Sequence, residues 1–298
     1  MTDKVVVALP DRSNEFQHLQ AADAQAVAGR LGIEIEVLDA DNNAILQIQQ
    51  IFKFIHGQER PRAIIVEPVA TDGMERVAQK AAAAGIGVGI LNCTVGYIDG
   101  LRKQYPQLPI FMLGSDQVEI GRLQGRQMRL LMPGGGTALY IQGPQNATAA
   151  RERFQGMQEA TSGSPLRTVV IDSQWTEESA EQAVRKWLRL RTTEGLRIDL
   201  VACQDDAMAR GAQRAFEATP DVVGQWGNLP FLGIDGVPTV GQRMVREGQL
   251  TATVIMPSNT GPALEAIGRW LRSGIMPSAS IRVPVSSFPA EDSLRPRA

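Results

Sequence analysis

Short apolar runs rich in β-branched residues alternate with stretches of helical period along nearly the whole chain. Five of these runs are KVVVAL from Lys4, RAIIVEP from Arg62, GIGVGIL from Gly85, TALYIQG from Thr137 and PFLGID from Pro230. Each run is typical of a buried strand, and the stretches between them are typical of helices. Alternating strands and helices predict parallel sheets with right-handed crossovers. About ten such strands are too many for one ordinary sheet, so we predict an α/β fold with two doubly wound halves.

Two local patterns refine this picture. GIEIEVLD, from Gly32, alternates apolar and charged residues strictly, which predicts a strand at a sheet edge with one face in water. Before GMERVAQKAAAA, Thr71 and Asp72 offer side-chain oxygens that predict the N-cap of a helix, and Asp116 does the same before QVEIGRLQGRQMRLLM.

Composition excludes several classes of protein. The chain has 298 residues, 43% of them hydrophobic and 21% charged, with a net charge of −2. Lysines and arginines are scattered, which argues against a nucleic-acid surface and against a polybasic membrane patch. No apolar run reaches the ~20 residues of a membrane span. The first residues, MTDKVVVALP, leave no room for a signal peptide, so we expect a cytoplasmic protein or a chain whose export signal has been trimmed.

Polar and aromatic residues follow the predicted strands, where ligands bind in open parallel sheets. Flat aromatic faces combined with charged and amide groups suit the ring and hydroxyls of a sugar, although a polyol, an amino acid or a nucleoside has similar needs. The candidate ligand-binding residues are Asn14, Phe16, Glu67, Asn92, Arg153, Trp175, Asp205 and Asp235.

Two other interpretations of these residues stay open at this point. A carboxylate after a strand is often only the cap of the next helix. An enzyme is the other alternative, with Asp205 and Asp206 as an acid–base pair. No phosphate loop, hydrolase elbow or histidine–cysteine metal cluster accompanies them, so we expect no catalysis, no metal and no cofactor. Cys93 and Cys203 are expected to be thiols rather than a disulfide or a metal site.

Several segments in order resemble the type I periplasmic binding proteins of sugar transporters, the ribose-binding group, which are related to the effector domains of lactose-repressor-type regulators. The segments are VVALPDRSNEFQHLQ, RAIIVEPVATDGMERVAQKAAAAGIGVGILN, GSDQVEIGRLQG, IQGPQNATAARERFQGM and FLGIDGVPTVGQRMVREGQLTATVIMP. The resemblance covers nearly the whole chain.

This resemblance implies two Rossmann-like lobes joined by three hinge crossings, with the ligand bound in the cleft as the lobes close. One lobe would contain residues 1–114 plus 257–284, and the other 115–256 plus 285–298. Asn14 and Phe16 fall on binding positions of the first lobe, and Arg153, Trp175, Asp205 and Asp235 on those of the second. In this interpretation Arg153 donates to ring hydroxyls, Trp175 stacks and Asp235 accepts hydroxyl protons.

The resemblance also implies partners and a location. The closed form would dock on a membrane permease or a receptor, in the periplasm if an export signal was removed. A cytosolic ligand sensor without a DNA-binding domain is the alternative, because nothing resembling a helix-turn-helix precedes Val5.

Several residues depart from the family pattern. Asn92 and Cys93 stand where sugar binders of this family usually carry Asp-Arg, and Glu67 stands where an amide is common. The first lobe is therefore less cationic than usual. We expect a sugar other than ribose, a polyol or an amine-bearing ligand.

Overall fold

Two compact units make up the chain, and it crosses between them three times. The computed structural model describes residues 3–12, 14–190, 196–219 and 228–296. Unit 1 comprises Met1–Ser115 with Ser258–Val283, and unit 2 comprises Asp116–Pro257 with Pro284–Ala298. The predicted fold class, two α/β lobes built on mainly parallel sheets, is confirmed. The sequence-based division of the chain into two domains, with its boundaries, stays a prediction.

Unit 1 is a six-stranded sheet with helices on both faces. Its strand order is β11-β5-β4-β3-β1-β2, and every neighbouring pair is parallel. The strands are β1 (Lys4–Leu9), β2 (Glu34–Asp39), β3 (Ala63–Val66), β4 (Gly87–Leu91), β5 (Ile110–Gly114) and β11 (Ser280–Arg282). The helices are α1 (Glu15–Leu31), α2 (Ala44–His56), α3 (Met74–Ala83), α4 (Ile98–Gln104) and α10 (Thr260–Ser273).

Unit 2 repeats this arrangement. Its strand order is β12-β10-β9-β8-β6-β7, parallel except for the antiparallel pair β10–β12. The strands are β6 (Gly136–Gln142), β7 (Leu166–Asp172), β8 (Leu200–Cys203), β9 (Phe231–Asp235), β10 (Ala252–Ile255) and β12 (Ser286–Phe288). The helices are α5 (Gln117–Leu131), α6 (Thr148–Thr161), α7 (Glu177–Leu188), α8 (Asp206–Glu217) and α9 (Gly241–Arg246), with a 3₁₀ turn at Glu291–Ser293.

Strand periodicity explains the layered core of each unit. Successive side chains of a strand point to opposite faces, so a strand buried on both faces supplies two cores. In β1, Val5 and Val7 pack with α1 and α10, whereas Val6 packs with α2 and α3. In β6, Leu139 faces α7 and α8, and Tyr140 faces α5 and α6. Each sheet is therefore held rigid from both sides, which fixes the ends of its strands.

The local predictions have mixed outcomes. The alternating segment forms β2 at a sheet edge, and Asp116 caps α5 by accepting a bond from the Glu119 amide, as predicted. The predicted cap of α3 is wrong. This helix begins after Gly73, which is left-handed at φ +78° and has no side chain to accept a bond, so neither Thr71 nor Asp72 is the N-cap.

Candidate functional site

In unit 1 the candidate residues lie where three adjacent strands end. Asn14 and Phe16 follow β1, Glu67 follows β3 and Asn92 follows β4. These strands are neighbours in the order β4-β3-β1, and all are parallel. Their carboxyl ends therefore meet at one edge of the sheet, the usual ligand-binding edge of such sheets.

Glu67 is the centre of this edge. Its Oε1 accepts hydrogen bonds from Gln17 Nε2 at 3.1 Å and Asn92 Nδ2 at 3.0 Å, and its Oε2 accepts one from Gln20 Nε2 at 2.8 Å. Burial raises the pKa of the Glu67 carboxyl, and the bonds from Asn92, Gln20 and Gln17 oppose that rise. All three donors are neutral amides, so both carboxyl oxygens are hydrogen-bonded but no positive charge lies on them.

A second group of residues supports this cluster through hydrogen bonds. Gln47 in α2 is buried, donates to the Glu67 carbonyl at 2.9 Å and accepts from the Val69 amide at 2.9 Å. Gln20 Oε1 accepts from the backbone amides of Asn259 and Thr260. These bonds hold both the backbone and the amide partners of Glu67 in place before any ligand arrives.

Asn92 is tied into the same network. Its Oδ1 accepts a bond of 2.5 Å from Asn259 Nδ2. Its backbone lies in the left-handed region at φ 55°, which asparagine tolerates better than most residues. A side chain at Gly114 would lie 3.0 Å from the Asn92 backbone, so the glycine leaves room for this turn.

The helix-cap interpretation applies to Asn14, which is the N-cap of α1. Its Oδ1 accepts from the Phe16 amide at 2.8 Å and from the Gln17 amide at 3.4 Å, which begins α1. Phe16 is buried. The cap orients the first turn of α1, from which Gln17 and Gln20 reach Glu67.

In unit 2 Arg153 is the centre of the candidate site. This side chain is only 6% exposed and projects from α6. Its Nε donates to Gln117 Oε1 at 2.9 Å, one terminal nitrogen to the Gln204 carbonyl at 2.6 Å and the other to Met256 Sδ at 3.1 Å. Each of these acceptors is uncharged, so the guanidinium is fixed in position with its positive charge intact.

Trp175 supplies the flat face beside this charge. The guanidinium carbon of Arg153 lies 5.4 Å from the Trp175 ring centroid, within the range of a cation–π contact. A Cβ at Gly143 would come within 2.4 Å of the ring, so only glycine allows the indole to lie against this backbone. The Gly143 amide in turn donates to Gln204 Oε1 at 2.9 Å.

The two carboxylates of unit 2 occupy different structural roles. Asp205 is the N-cap of α8 and accepts a bond from the Met208 amide at 2.5 Å. Asp235 ends β9 and is not the cap of α9, which begins after Val240. Its φ is +101°, a strained conformation for a residue with a side chain. The cap interpretation therefore fits Asp205 and not Asp235.

Asp206 explains how Asp235 is held in that conformation. The buried Asp206 carboxylate accepts from the Gly236 amide at 2.8 Å and from the Thr253 hydroxyl at 2.7 Å. A Cβ at Gly233 or Gly241 would come within 2.0 Å of its oxygens. The glycines around Asp235 thus make room for the neighbouring carboxylate that anchors this turn.

Among the eight predicted residues, Glu67 contacts Asn92, Arg153 contacts Trp175, and the backbone amide of Phe16 donates to Asn14. Sequence reasoning missed most of the amides that support them. The available signal was the pair Gln17 and Gln20, which are three residues apart and therefore lie on one face of a helix. Two buried amides on one face need polar partners. The missed residues are Gln20, Gln47, Gln117 and Asn259.

The described residues offer neither a metal site nor a membrane-spanning helix. In the described part of the chain, no three His, Cys, Asp or Glu side chains are grouped as a metal site would require. None of the helices in the described ranges has both the length and the apolarity needed to cross a bilayer. Cys93 and Cys203 form no disulfide.

Comparison with known proteins points to one family. The family model described as "Periplasmic binding protein domain" matches residues 5–260. A putative rhizopine-binding protein of Rhizobium meliloti is 30% identical over 191 residues, which are 63% of this chain and 58% of that protein. The ribose import binding protein RbsB of Salmonella typhimurium is 25% identical over 261 residues, 87% of this chain and 81% of that protein.

A solved structure matches the fold. The periplasmic binding protein component of the arabinose ABC transporter from Shewanella sp. ANA-3, bound to alpha and beta-L-arabinofuranose, superimposes with a TM-score of 0.84. It is 24% identical, and the match covers 98% of this chain and 93% of that one. At this identity the likeness bears on the fold alone.

Proposed function

The chain belongs to the periplasmic binding protein family, and we propose that it captures a carbohydrate or polyol for an ABC transporter. Relatives named for binding ribose and rhizopine support a small polar ligand. In this proposal the ligand is bound without chemical change, and the liganded form docks on a membrane permease outside the cytoplasm.

The arrangement of Arg153 and Trp175 is the observation that carries this proposal. A guanidinium has five N–H donors, and three bonds hold this one in place, one from each nitrogen. Each terminal nitrogen therefore keeps an N–H for a ligand. An aromatic face beside fixed donors matches a sugar ring, which presents apolar C–H groups on its face and hydroxyl oxygens at its rim.

Acceptors for hydroxyl protons complete the same edge. Asp235 ends β9. Arg153 donates to the carbonyl of Gln204, which follows β8, and β8 lies beside β9 in the sheet. In unit 1 Glu67 and Asn92 offer further polar groups. We propose that Arg153 and Asp235 are hydrogen-bond partners of the ligand and that Trp175 is its stacking face.

A thermal-shift screen over pentoses, hexoses, cyclitols and acyclic polyols, with and without amino groups, tests this proposal. A ligand at about 100 times its Kd should stabilise the chain by about 2.7 kcal/mol. Any hit is then incubated with the protein and followed by mass spectrometry. Recovery of unchanged ligand supports a binding protein. A new product, or a panel without a single hit, contradicts the proposal.

A further inference from the structure

The surroundings of the Glu67 carboxyl supply no countercharge. Its three hydrogen-bond donors are the neutral amides of Gln17, Gln20 and Asn92. Among the residues that the structure describes, no lysine or arginine forms an ion pair with it. The charge that acts on it most strongly is Asp11, which is of the same sign. Ionising a buried carboxyl without a countercharge is costly, so this edge is suited to a cation that offsets that cost.

Two unused acceptors accompany that carboxylate. Gln17 is 6% exposed and donates to Glu67, yet its Oε1 is buried without a hydrogen-bond partner. Asn259 is fully buried and donates to Asn92, and its Oδ1 likewise lacks a partner. Buried polar atoms are nearly always satisfied in native proteins, so the acceptors left over in this hydrogen-bond network call for further donors.

The missing countercharge and the unpaired acceptors of this edge distinguish between classes of donor. A hydroxyl brings one donor together with an acceptor oxygen of its own, and it brings no charge. An ammonium group brings three donors, no acceptor and one positive charge. The ammonium group therefore supplies both the donors and the positive charge that this edge lacks.

We propose that Glu67 binds a protonated amine of the ligand, so that the preferred ligand is an amino sugar or an amino derivative of a cyclitol or polyol. This inference rests on the proposed function and narrows its ligand class. Gln17 and Gln20 position the carboxylate, and Glu67 itself contacts the amine.

Matched pairs of ligands test the inference. Glucosamine is compared with glucose, galactosamine with galactose, and an amino-deoxyinositol with myo-inositol, each by thermal shift and then by calorimetry on the full chain. Charge-assisted hydrogen bonds to a fixed carboxylate predict that the best amine binds about 10 to 100 times more tightly than its neutral parent. The comparison uses the unmodified protein, so it does not depend on how any variant folds.

Two variants assign the effect to Glu67. Glu67→Gln keeps the shape of the side chain and removes its charge, and it should reduce the amine preference to about twofold or less. Glu75→Gln makes the same change on the exposed face of α3, where Glu75 only accepts from Gln79, and should leave the preference unchanged.

The outcomes separate the two proposals. Binding of neutral ligands only, or an amine preference that survives in Glu67→Gln, overturns this inference and leaves the carbohydrate-binding proposal standing. A panel in which no member binds overturns both. An amine preference that Glu67→Gln removes and Glu75→Gln retains supports both.

Discussion

Asp206 accepts a hydrogen bond of 2.8 Å from the backbone amide of Gly236, the residue that follows Asp235. The two residues are thirty positions apart, at the start of α8 and the end of β9. This bond and the one from the Thr253 hydroxyl tie β9 and β10 to α8. Asp206 is therefore a positioning residue for the carboxyl edge of unit 2.

Replacing Asp206 tests that role. Asp206→Ala leaves the Gly236 amide and the Thr253 hydroxyl buried without partners, and we expect a loss of about 2 to 4 kcal/mol in the free energy of unfolding by urea. Glu217→Ala, on the exposed face of the same helix, should change it by less than about 0.5 kcal/mol. Equal stability of the two variants would contradict the role of Asp206.

The conformation of Asp235 gives a second prediction. In an ordinary strand, alanine is more stable than glycine by about 0.5 to 1 kcal/mol. Because φ is +101° here, the order should reverse, with Asp235→Gly more stable than Asp235→Ala by about 1 kcal/mol. Both variants should weaken ligand binding, since both lack the carboxylate. If the alanine variant is the more stable, the backbone at this position is not strained.

The contact of α5 with α6 is the subject of a third prediction. A Cβ at Gly121 would lie 1.9 Å from the carbonyl oxygen of Arg153, so Gly121→Ala must push α6 away and displace Arg153. We expect a loss of about 1 to 3 kcal/mol in unfolding free energy, together with weaker ligand binding. Gly29→Ala is the matched control, because its Cβ meets no atom within 4 Å in the interior of α1. It should gain up to about 1 kcal/mol, and a similar gain in Gly121→Ala would contradict the close packing.

Glu67 gives stability a predictable dependence on pH. Burial raises the folded-state pKa of Glu67 above its ordinary value of 4.5, so the folded chain binds this proton more tightly than the unfolded chain does. Its contribution to stability must therefore increase as the pH falls from above the folded-state pKa toward 4.5.

Paired urea titrations at several pH values measure this contribution. The unfolding free energy of the wild type, minus that of Glu67→Gln, should rise as the pH is lowered through this window. A Glu67 difference that stays flat, or that falls on acidification, would show that burial does not govern this carboxyl.

The sequence predicts the framework of the fold from local signals. In KVVVAL every residue after Lys4 is apolar because the strand is covered on both faces, and β2 alternates because it is an edge strand. The short strands β11 and β12 carry no such signal, because three-residue segments with partly exposed residues have no period to detect. The predicted cap of α3 was wrong because Gly73 adopts a left-handed conformation at the start of this helix. A capping rule based on side-chain oxygens does not anticipate such a glycine.

The site is only partly visible in the sequence, for a physical reason. Residues after strands can be identified because parallel strands end together, which brings Glu67 and Asn92 into one network. The amides that hold them come from α1 and from the turn before α10, more than two hundred residues apart in the chain. Pairings over that distance depend on the packing of the whole unit. No local pattern predicts them.

The central claim is that Arg153 binds the ligand, and calorimetry on Arg153→Ala tests it most directly. The titration uses the strongest carbohydrate or polyol from the thermal-shift panel, with Arg129→Ala as the control, since Arg129 is exposed on α5 and donates only to the Ala160 carbonyl. We predict that Arg153→Ala weakens binding by about 100-fold or more, the effect of removing a buried charged donor, and that Arg129→Ala changes the Kd by less than about twofold. An Arg153→Ala variant that is folded and binds with the wild-type Kd would contradict the account.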